Sequence, residues 1–426
     1  MQRLRAWRPG KLAKGTLAMT AGLGLRTLGQ AAVFLIVARV LGVEAYGAYS
    51  AVLALAMVLG WFVGMGVSGV MLRDTARDAQ VFEQAWGRTL AALWITAPPA
   101  LLLYGALAWL LLPADIHWDV VMGFGVAEIL FARVGHAAMQ AYQGHERMGR
   151  AARMHLAPIV PRVAAILPLV IGVVWLRAPD PLFLWSVLYL IAAALAAVYA
   201  LARLRQDFGL AFTPVWQGLG RAMRDGWPYA LGSASGKVYV DIDKLMLARL
   251  GGLEAAGVYS AAYRFVDMAA IPLAGLYGAS VARFFRAGEQ GVGSAARYAL
   301  KLLPVPLAYA ALTGAVFFVS ADLLPWLLGA DYAGAAEALR WLAWLPLLSV
   351  PRDLLQQAFI GADRQHVFVL VMGCAALLNI VLNLWAIPRW GWQGAVGATY
   401  AAEFFMIAWL LTLLLGIGRT AGRRLD

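Results

Sequence analysis

Fourteen charged side chains interrupt stretches of this sequence that are otherwise apolar. Eight are basic: Arg26, Arg133, Arg162, Lys237, Lys244, Arg264, Arg340 and Arg352. Six are acidic: Glu128, Asp241, Asp243, Asp267, Asp353 and Glu403. A guanidinium group donates paired hydrogen bonds to a carboxylate or a phosphate, and an ammonium group supplies a compact positive charge. Gathered in one place, such residues would bind an anionic group such as a phosphate.

The spacing of these charges places several of them on shared helix faces. Lys237, Asp241 and Lys244 stand at i, i+4 and i+7, and Arg264 and Asp267 stand at i and i+3. Further polar stripes join Arg26 with Gln30, Arg133 with His136 and Gln140, Arg352 with Gln356, and Asn379 with Asn383. The stripes predict a polar interior that several helices line together.

Composition indicates the medium that surrounds these helices. The chain has 426 residues, of which 62% are hydrophobic and 14% are charged, whereas a soluble domain is about 25% charged. We therefore predict an integral membrane protein. A charge at the centre of a bilayer costs about 2.5–3.5 kcal/mol when it faces lipid, so we expect these charges to face a polar interior instead.

Twelve apolar runs are long enough to span a hydrocarbon core, which requires about 20 helical residues. In the first half they cover about 16–41, 47–72, 88–112, 119–142, 154–176 and 181–203. In the second half they cover about 226–249, 256–282, 298–320, 336–361, 365–387 and 392–416. The sequence thus predicts an all-α integral membrane fold with twelve transmembrane helices.

An internal repeat divides these helices into two lobes of six. Residues 38–51 (ARVLGVEAYGAYSA) match residues 248–261 (ARLGGLEAAGVYSA) at nine of fourteen positions. A weaker match aligns residues 140–147 with 357–364. Because six helices lie on each side, both lobes enter the membrane in the same direction. This predicts a pseudo-two-fold axis along the membrane normal, a common plan of secondary transporters.

Both copies of the repeat fall at the end of the first helix of a lobe. Their glycines, Gly42, Gly47, Gly252 and Gly257, suit a tight connection between two helices. The acids that follow, Glu44 and Glu254, are expected to pair with neighbouring arginines or to cap the next helix.

The distribution of basic residues predicts the orientation. Twenty-three Lys and Arg residues fall on the predicted cytoplasmic side, against four, Arg39, Arg177, Arg249 and Arg389, in the outer loops. Both termini are therefore expected in the cytoplasm. The domains would be a basic tail (1–15), an N-lobe (16–204), a cytoplasmic linker (205–225), a C-lobe (226–417) and a second basic tail (418–426). Since orientation explains most of the net charge of +12, no nucleic-acid partner is expected.

Several kinds of catalytic or cofactor site are disfavoured. Gly64, Gly66 and Gly69 satisfy GxGxxG, but they lie in a predicted membrane helix with no preceding strand, so we do not predict a dinucleotide site. The chain has no Walker A pattern, and its five histidines show no metal-ligand spacing. The single cysteine, Cys374, excludes an intramolecular disulfide. The outer loops are short, so an enzyme is not expected.

Two interpretations of the charges inside the helices stay open. In the first they line a cationic cavity between the lobes, with Gln30, His136, Gln140, Gln356, Asn379 and Asn383 as polar lining and with Arg26, Arg133, Arg162, Lys237, Lys244, Arg264 and Arg352 as anion-binding residues. In the second they form salt bridges between or along helices. The interpretations are evenly balanced for the Lys237–Asp241 and Arg264–Asp267 pairs. Three arginines, Arg26, Arg133 and Arg162, have no acid one helical turn away and favour the first, whereas Arg340 is expected to extend toward the membrane surface.

The first copy of the repeat, followed by an apolar helix and LRDTARD (72–78), resembles the opening of polysaccharide flippases, the lipid-linked oligosaccharide branch of the MOP (MATE-like) exporter superfamily. Residues 241–265 (DIDKLMLARLGGLEAAGVYSAAYRF) are similar to the start of that family's second lobe. The resemblance implies alternating access and an O-antigen-type glycan, carried on polyprenyl pyrophosphate, as cargo. By helix position, the family's cationic cavity maps onto Arg26, Arg133, Arg162, Lys237 and Arg352.

The resemblance also implies partners, location and energy source. We expect a bacterial cytoplasmic (inner) membrane protein that is monomeric, contacts membrane lipids and works with other polysaccharide-assembly proteins. No cofactor is expected. An H⁺ or Na⁺ gradient, acting through Glu128, Asp241, Asp267 or Glu403, or else removal of the product, would supply the energy. The alternatives are a cation-coupled multidrug exporter of the same superfamily and an integral-membrane glycan ligase or transferase.

Overall fold

The computed structural model describes the backbone of residues 11–211 and 213–422, and the side chains of residues 24–211 and 213–416. The outer parts of the two predicted basic tails, residues 1–10 and 423–426, lie outside the described residues. All regular structure within these ranges is helical. The α-helices are α1 (Lys11–Leu41), α2 (Val43–Gly60), α3 (Val67–Arg77), α4 (Phe82–Leu111), α5 (Trp118–Val126), α6 (Ala132–Gly144), α7 (Met148–Leu156), α8 (Ile159–Val170), α9 (Pro181–Phe208), α10 (Leu219–Leu250), α11 (Leu253–Ala269), α12 (Ile271–Gly288), α13 (Val292–Leu302), α14 (Pro304–Ser320), α15 (Leu324–Leu328), α16 (Ala333–Leu342), α17 (Leu345–Gly361) and α18 (Gln365–Gly422).

These helices account for the twelve predicted spans. Nine helical segments of the described chain are long and apolar enough to cross a membrane. One of them contains two predicted spans, because α18 runs through both and breaks at Gly391, where φ is +54°. The two other spans fall on α10, which carries eight charged residues, and on α16 with α17, the longer of which has only 17 residues. The charges of α10 lower its mean hydropathy, and the helix break between α16 and α17 leaves two helices that are each too short.

The chain forms two compact units. The first comprises the residues up to Val40 together with Leu55–Leu110 and Ala114–Ala234. The second comprises Leu41–Ala54, Leu111–Pro113 and the residues from Ser235 onward. The start of α2 belongs to the second unit, and the start of α10 belongs to the first.

Each unit has its own buried core. In the first, Met71, Trp86 and Tyr142 pack with small residues of α6 and α9. In the second, Phe284 packs in one cluster with residues of α13 and α17, and Phe359 packs in another with residues of α18. Alanine is frequent in these cores, and small side chains allow membrane helices to approach closely.

The repeat forms a tight turn in both copies. Gly42, with φ of +78°, separates α1 from α2, and Gly252, with φ of +91°, separates α10 from α11. Glycine adopts this left-handed region without steric cost. The acids Glu44 and Glu254 lie in the first turns of α2 and α11, where a negative charge favours the helix dipole. The predicted turn is thus confirmed for the first glycine of each copy.

The second glycine of each copy has another role, because the two copies pack against each other within the second unit. A Cβ atom built on Gly47 would overlap the carbonyl oxygen of Leu253, and one built on Gly257 would overlap that of Val43. The helices α2 and α11 therefore cross with backbone against backbone. The repeat encodes a reciprocal helix crossing as well as a turn.

The chain departs from regular α geometry at three places. A π-turn, Ala127–Phe131, joins α5 to α6, and another, Ile171–Trp175, follows α8. Between α2 and α3 the chain forms a short 3₁₀ turn, Val63–Gly66, with positive φ at Gly64, Met65 and Gly66. Such departures free backbone groups and re-aim side chains, and they are frequent at functional sites.

Candidate functional site

A buried carboxylate, Glu128, anchors the charged cluster of the first unit. It lies on the π-turn between α5 and α6 and is 3% exposed. Arg162 on α8 donates from Nη2 to its Oε1 at 3.0 Å, and Tyr189 on α9 donates to the same oxygen at 2.5 Å. The Arg162 guanidinium also stacks over the Tyr189 ring, 4.0 Å from its centroid. Glu128 is therefore ion-paired and hydrogen-bonded, as a buried carboxylate must be.

Arg26 on α1 contacts His155, a histidine that helical spacing does not single out. Its Nη1 lies 3.1 Å from Nδ1 of His155 on α7. Because a guanidinium only donates, Nδ1 must be the acceptor, so this imidazole is neutral with its proton on Nε2. Arg26 also lies within electrostatic range of Arg162 and Glu128. Sequence spacing gave no signal for His155, since its partner comes from a distant helix.

Arg133 on α6 is held by an aromatic ring and not by an acid. Its guanidinium lies 4.5 Å from the centroid of Trp61, and His136 meets the same ring edge-on at 5.0 Å. The Nε and Nη1 atoms of Arg133 and the Oε1 atom of Gln140 are buried, with no hydrogen-bond partner among the described residues. The predicted stripe of Arg133, His136 and Gln140 is thus one polar face.

We name Arg26, Arg133, Arg162 and Glu128, with His136 and His155, the first cluster. The cluster has three guanidinium groups and one carboxylate, so its formal charge is +2 when all four are ionised. Glu128 is the only carboxylate that the described part of the first unit buries. This cluster can attract an anion.

The second unit has a charged group of its own on α10, α11, α17 and α18. Asp241 lies between two lysines of its own helix, with 2.5 Å to Nζ of Lys237 and 2.5 Å to Nζ of Lys244. Arg264 and Asp267 on α11 are 3.9 Å apart. The shared helix faces that the spacing predicts are confirmed for both sets. These contacts also support the salt-bridge interpretation for the two pairs.

Arg352 on α17 has partners on its own helix and on α18. Its Nε lies 3.1 Å from Oε2 of Glu403, and its Nη2 lies 3.3 Å from Asp353. Tyr239 on α10 donates to the other oxygen of Glu403 at 2.9 Å. Helical spacing predicted that Arg352 shares a face with Gln356, but it did not predict the ion pair with Glu403.

Two polar contacts complete this group. Tyr259 donates a short hydrogen bond to Asp243, and Asn383 donates to Asn379 at 2.9 Å. We name the charged residues of this group the second cluster: Lys237, Lys244, Arg264 and Arg352 with Asp241, Asp243, Asp267, Asp353 and Glu403. Four cations and five acids give a formal charge of −1 when all are ionised. The two clusters therefore differ in sign.

The remaining selected residues lie apart from these contacts or at their margins. Gln30 and Gln356 are half-buried. Arg340, predicted to extend outward, pairs with the exposed Asp322 at 2.5 Å. Its role is that of a surface ion pair, which contributes little to stability.

The Arg352–Glu403 pair gives a prediction for stability. Changing Arg352 to Met is expected to lower the free energy of unfolding by about 3–5 kcal/mol, because Glu403 then stays buried without its counter-ion. Thermal unfolding of the purified protein in detergent measures this. The double variant Arg352→Met, Glu403→Gln should recover part of the loss, and the exposed control Arg340→Met should cost less than about 1 kcal/mol. Equal losses for Arg352→Met and Arg340→Met would contradict the prediction.

Solved structures share this fold. An inward-facing multidrug resistance MATE family transporter of the MOP superfamily matches with a TM-score of 0.72 and 15% identity, over 93% of this chain and 96% of that chain. The lipid II flippase MurJ, in an inward closed conformation, matches with a TM-score of 0.74 and 11% identity, over 93% and 87%. A MOP superfamily transporter from Pyrococcus furiosus matches with a TM-score of 0.61 and 14% identity, over 96% of each chain. The chain has the two-lobe, all-helical fold of MOP transporters, as the sequence predicted.

Comparison with protein-family models identifies the family of this chain. The model of the family described as "Polysaccharide biosynthesis protein" matches residues 12–286, and that of the MatE family matches residues 228–385. No curated protein matches the sequence. Because the first match covers more than half of the chain, the protein belongs to the polysaccharide biosynthesis protein family. It is a multi-pass membrane protein, and the family resemblance seen in the sequence is confirmed.

Proposed function

We propose that this protein is an alternating-access flippase that carries a polyprenyl-pyrophosphate-linked oligosaccharide across the cytoplasmic membrane for cell-surface polysaccharide synthesis. The observation that carries the proposal is the positive charge of the first cluster. The family match supports the polysaccharide pathway. The similarity to a lipid II flippase, a protein named for a lipid cargo, is consistent with a lipid-linked substrate.

The chemistry of the first cluster suits a pyrophosphate. A pyrophosphate diester carries two negative charges, and the cluster has a formal excess of two positive charges. Guanidinium groups donate forked hydrogen bonds to phosphate oxygens. The buried Nε and Nη1 atoms of Arg133 still have hydrogens to donate. In this proposal the apolar polyprenyl chain stays in the bilayer, so only the pyrophosphate and glycan enter the polar interior.

The proposed orientation places both termini in the cytoplasm of a bacterial cell, with the protein in the inner membrane. The excess of Lys and Arg in the predicted cytoplasmic segments supports it. We also propose that the protein acts as a monomer beside other polysaccharide-assembly proteins, and that it transports its substrate without chemical change.

The second cluster is the proposed site of energy coupling. Its acids outnumber its cations by one, so binding of one H⁺ or Na⁺ would balance the cluster. Of the candidate carboxylates Glu128, Asp241, Asp267 and Glu403, Asp267 has the longest ion pair, 3.9 Å, and is the most exposed at 36%. It is therefore the first candidate to bind the coupling ion.

Changing Asp267 to Asn tests this assignment. In proteoliposomes, transport by the wild-type protein should rise when an H⁺ or Na⁺ gradient is imposed, whereas transport by Asp267→Asn should not respond. Binding of the lipid-linked oligosaccharide should be retained, because the first cluster is unchanged. Asp322→Asn, which changes an exposed acid, is the matched control and should respond like the wild type. A gradient response in Asp267→Asn equal to that of the wild type would exclude Asp267.

The cargo class is tested by native mass spectrometry of the protein purified from cells that make the glycan. We expect a co-purified polyprenyl-pyrophosphate oligosaccharide that is lost when Arg26 and Arg162 are both changed to Gln. Recovery of phospholipid alone, with no glycolipid bound under conditions that preserve lipid contacts, would argue against the flippase.

A second candidate function is a cation-coupled multidrug exporter, which the MatE match to residues 228–385 favours. A cationic drug requires acids that are free to receive it, but Asp241 and Glu403 are paired with Lys and Arg. Export of a cationic dye that depends on an ion gradient, with no binding of the glycolipid, would reverse the ranking.

A further inference from the structure

The glycines of the GxGxxG pattern break a membrane helix. The helix α2 ends at Gly60 and α3 begins at Val67, although the apolar pattern predicts one continuous helix there. Between them φ is +76° at Gly64, +45° at Met65 and +71° at Gly66. Inside a membrane, non-helical backbone is tolerated only where it is buried in protein or lines a water-filled cavity. The break therefore has to be explained by what surrounds it.

Packing fixes the geometry of the break. The start of α10 lies directly against it, because a Cβ atom on Gly66 would overlap the carbonyl oxygen of Gly226, and one on Gly226 would overlap that of Met65. On the other side, the backbone N–H of Gly64 donates to Oγ1 of Thr96 at 2.7 Å. Contacts from two helices thus hold a defined loop.

A cavity of ≈ 50 Å³ with polar and apolar lining lies beside this loop. Its polar lining includes Ser68, Arg133, His136, Gln140 and Ser233, next to the glycines of the break. No carboxylate is among its described lining residues. The volume accommodates a small oxyanion or a few waters, and the lining favours the anion.

Two features of the cavity favour an anion. The first is Arg133, whose Nε and Nη1 atoms are buried without partners. Leaving buried donors of a charged group unpaired is costly, because nothing compensates for their lost hydration. The second is the start of α3, where the N–H of Val67 donates to the carbonyl oxygen of Gly64 and the N-cap residue Gly66 provides no side-chain cap. Free N–H groups and the helix dipole make such an end favourable for anions.

The nearest buried acid does not accept a hydrogen bond from the Nε or Nη1 atom of Arg133. Glu128 is on the preceding turn, but Arg162 and Tyr189 already occupy its Oε1 atom. Trp61 holds the Arg133 guanidinium by its face at 4.5 Å, which orients the group and leaves its edge free to donate. The Arg133 guanidinium is thus held in position with the cavity beside it.

We propose that the cavity at the break between α2 and α3 binds a phosphate-class oxyanion, held by Arg133, His136 and the N-terminus of α3. This site is additional to the Arg26–Arg162 part of the first cluster. The oxyanion is either free inorganic phosphate or one phosphate of the lipid-linked substrate, and the second source rests on the proposed function. Glycines at a helix start serve here as they do in phosphate-binding loops, without the preceding strand.

Calorimetric titration of the purified full-length protein, in neutral detergent and phosphate-free buffer, tests the site. Inorganic phosphate is the probe, and chloride at matched ionic strength is the control ion. We expect saturable binding to one site. Arg133→Gln should weaken it by at least about tenfold, which corresponds to about 1.4 kcal/mol, while Arg340→Gln, at an exposed ion pair, should leave it unchanged. The conservative Arg133→Lys should bind with intermediate affinity.

Two results would overturn the proposal. One is phosphate affinity in Arg133→Gln equal to that of the wild type, in protein shown to be folded by its thermal unfolding. The other is an equal loss of phosphate binding in Arg26→Gln and Arg133→Gln, since the anion would then lie in the first cluster as a whole.

A second titration, with the lipid-linked oligosaccharide, separates the two sources. If the occupant is the substrate's phosphate, Arg133→Gln weakens binding of both ligands. If it is free phosphate, Arg133→Gln weakens phosphate binding alone and glycan export continues. Phosphate binding that depends on Arg133, in a wild-type protein that does not bind the glycolipid, would refute the flippase and support the site.

Discussion

Replacing Arg26 and Arg162 together with Gln is expected to abolish surface glycan in cells that depend on this protein. The change lowers the formal charge of the first cluster from +2 to 0, so the attraction for a doubly charged pyrophosphate is lost. The measurement is an immunoblot of surface glycan, with a parallel blot of the protein in isolated membranes. Protein abundance is measured in parallel, because Glu128 loses its ion pair with Arg162 and keeps only the hydrogen bond from Tyr189.

The control removes two positive charges elsewhere. Arg340 and Arg389 are exposed or half-exposed, and their double change to Gln should leave surface glycan unchanged. A triple variant that adds Glu128→Gln controls for misfolding. It removes the buried carboxylate that the Arg162 change would leave without a counter-ion. Normal glycan in the Arg26, Arg162 double variant would show that the first cluster does not bind the cargo.

Replacing Gly257 with Ala should lower the free energy of unfolding by about 2–4 kcal/mol. The added Cβ overlaps the carbonyl oxygen of Val43, and a backbone atom of a packed helix cannot move aside cheaply. Gly47→Ala should act alike, because its Cβ overlaps the carbonyl oxygen of Leu253. Thermal unfolding in detergent measures both changes, and glycan export should fall with stability.

The matched control for this crossing is Gly278 on α12, where an added Cβ meets no neighbouring atom. There Gly→Ala should stabilise the protein slightly, by up to about 1 kcal/mol, since alanine favours a helix. The double variant Gly47→Ala, Gly257→Ala should cost less than the sum of the single changes, because the helices separate only once. Unaltered stability in Gly257→Ala would exclude a close crossing of α2 and α11.

Local sequence patterns predicted the features that depend on local structure. Apolar runs located the helices, since the thickness of a bilayer sets their length. Helical spacing brought Lys237, Asp241 and Lys244 together, because residues one turn apart always share a face. The turn glycines of the repeat, Gly42 and Gly252, follow from the conformations that only glycine adopts freely.

Contacts between distant helices were not predictable in the same way. Glu128 and Arg162 are 34 residues apart, and nothing in their spacing indicates that α8 crosses the π-turn beside α5. The same holds for Arg352 with Glu403 and for Arg26 with His155. Tertiary packing decides which helices are in contact. A single sequence therefore identifies the charged residues that need a partner, but it does not show which residue is the partner of which.

The break at Gly64–Gly66 shows a different limit. The apolar residues around it predict a continuous helix, and glycine alone does not interrupt a helix in a membrane. The interruption depends on the contacts of Gly66 with Gly226 and of Gly64 with Thr96, which come from other helices. The glycine pattern was visible in the sequence, but its meaning depended on those partners.

Transport itself is tested most directly in proteoliposomes that contain the purified protein and a polyprenyl-pyrophosphate oligosaccharide labelled on its sugar. A membrane-impermeant glycosidase reports how much of the glycolipid faces the outside. We expect the wild-type protein to make nearly all of the glycolipid accessible, and the Arg26→Gln, Arg162→Gln variant to leave about half of it protected, as in protein-free vesicles with a symmetric bilayer. Protection in wild-type vesicles equal to that in protein-free vesicles would contradict the proposed flippase.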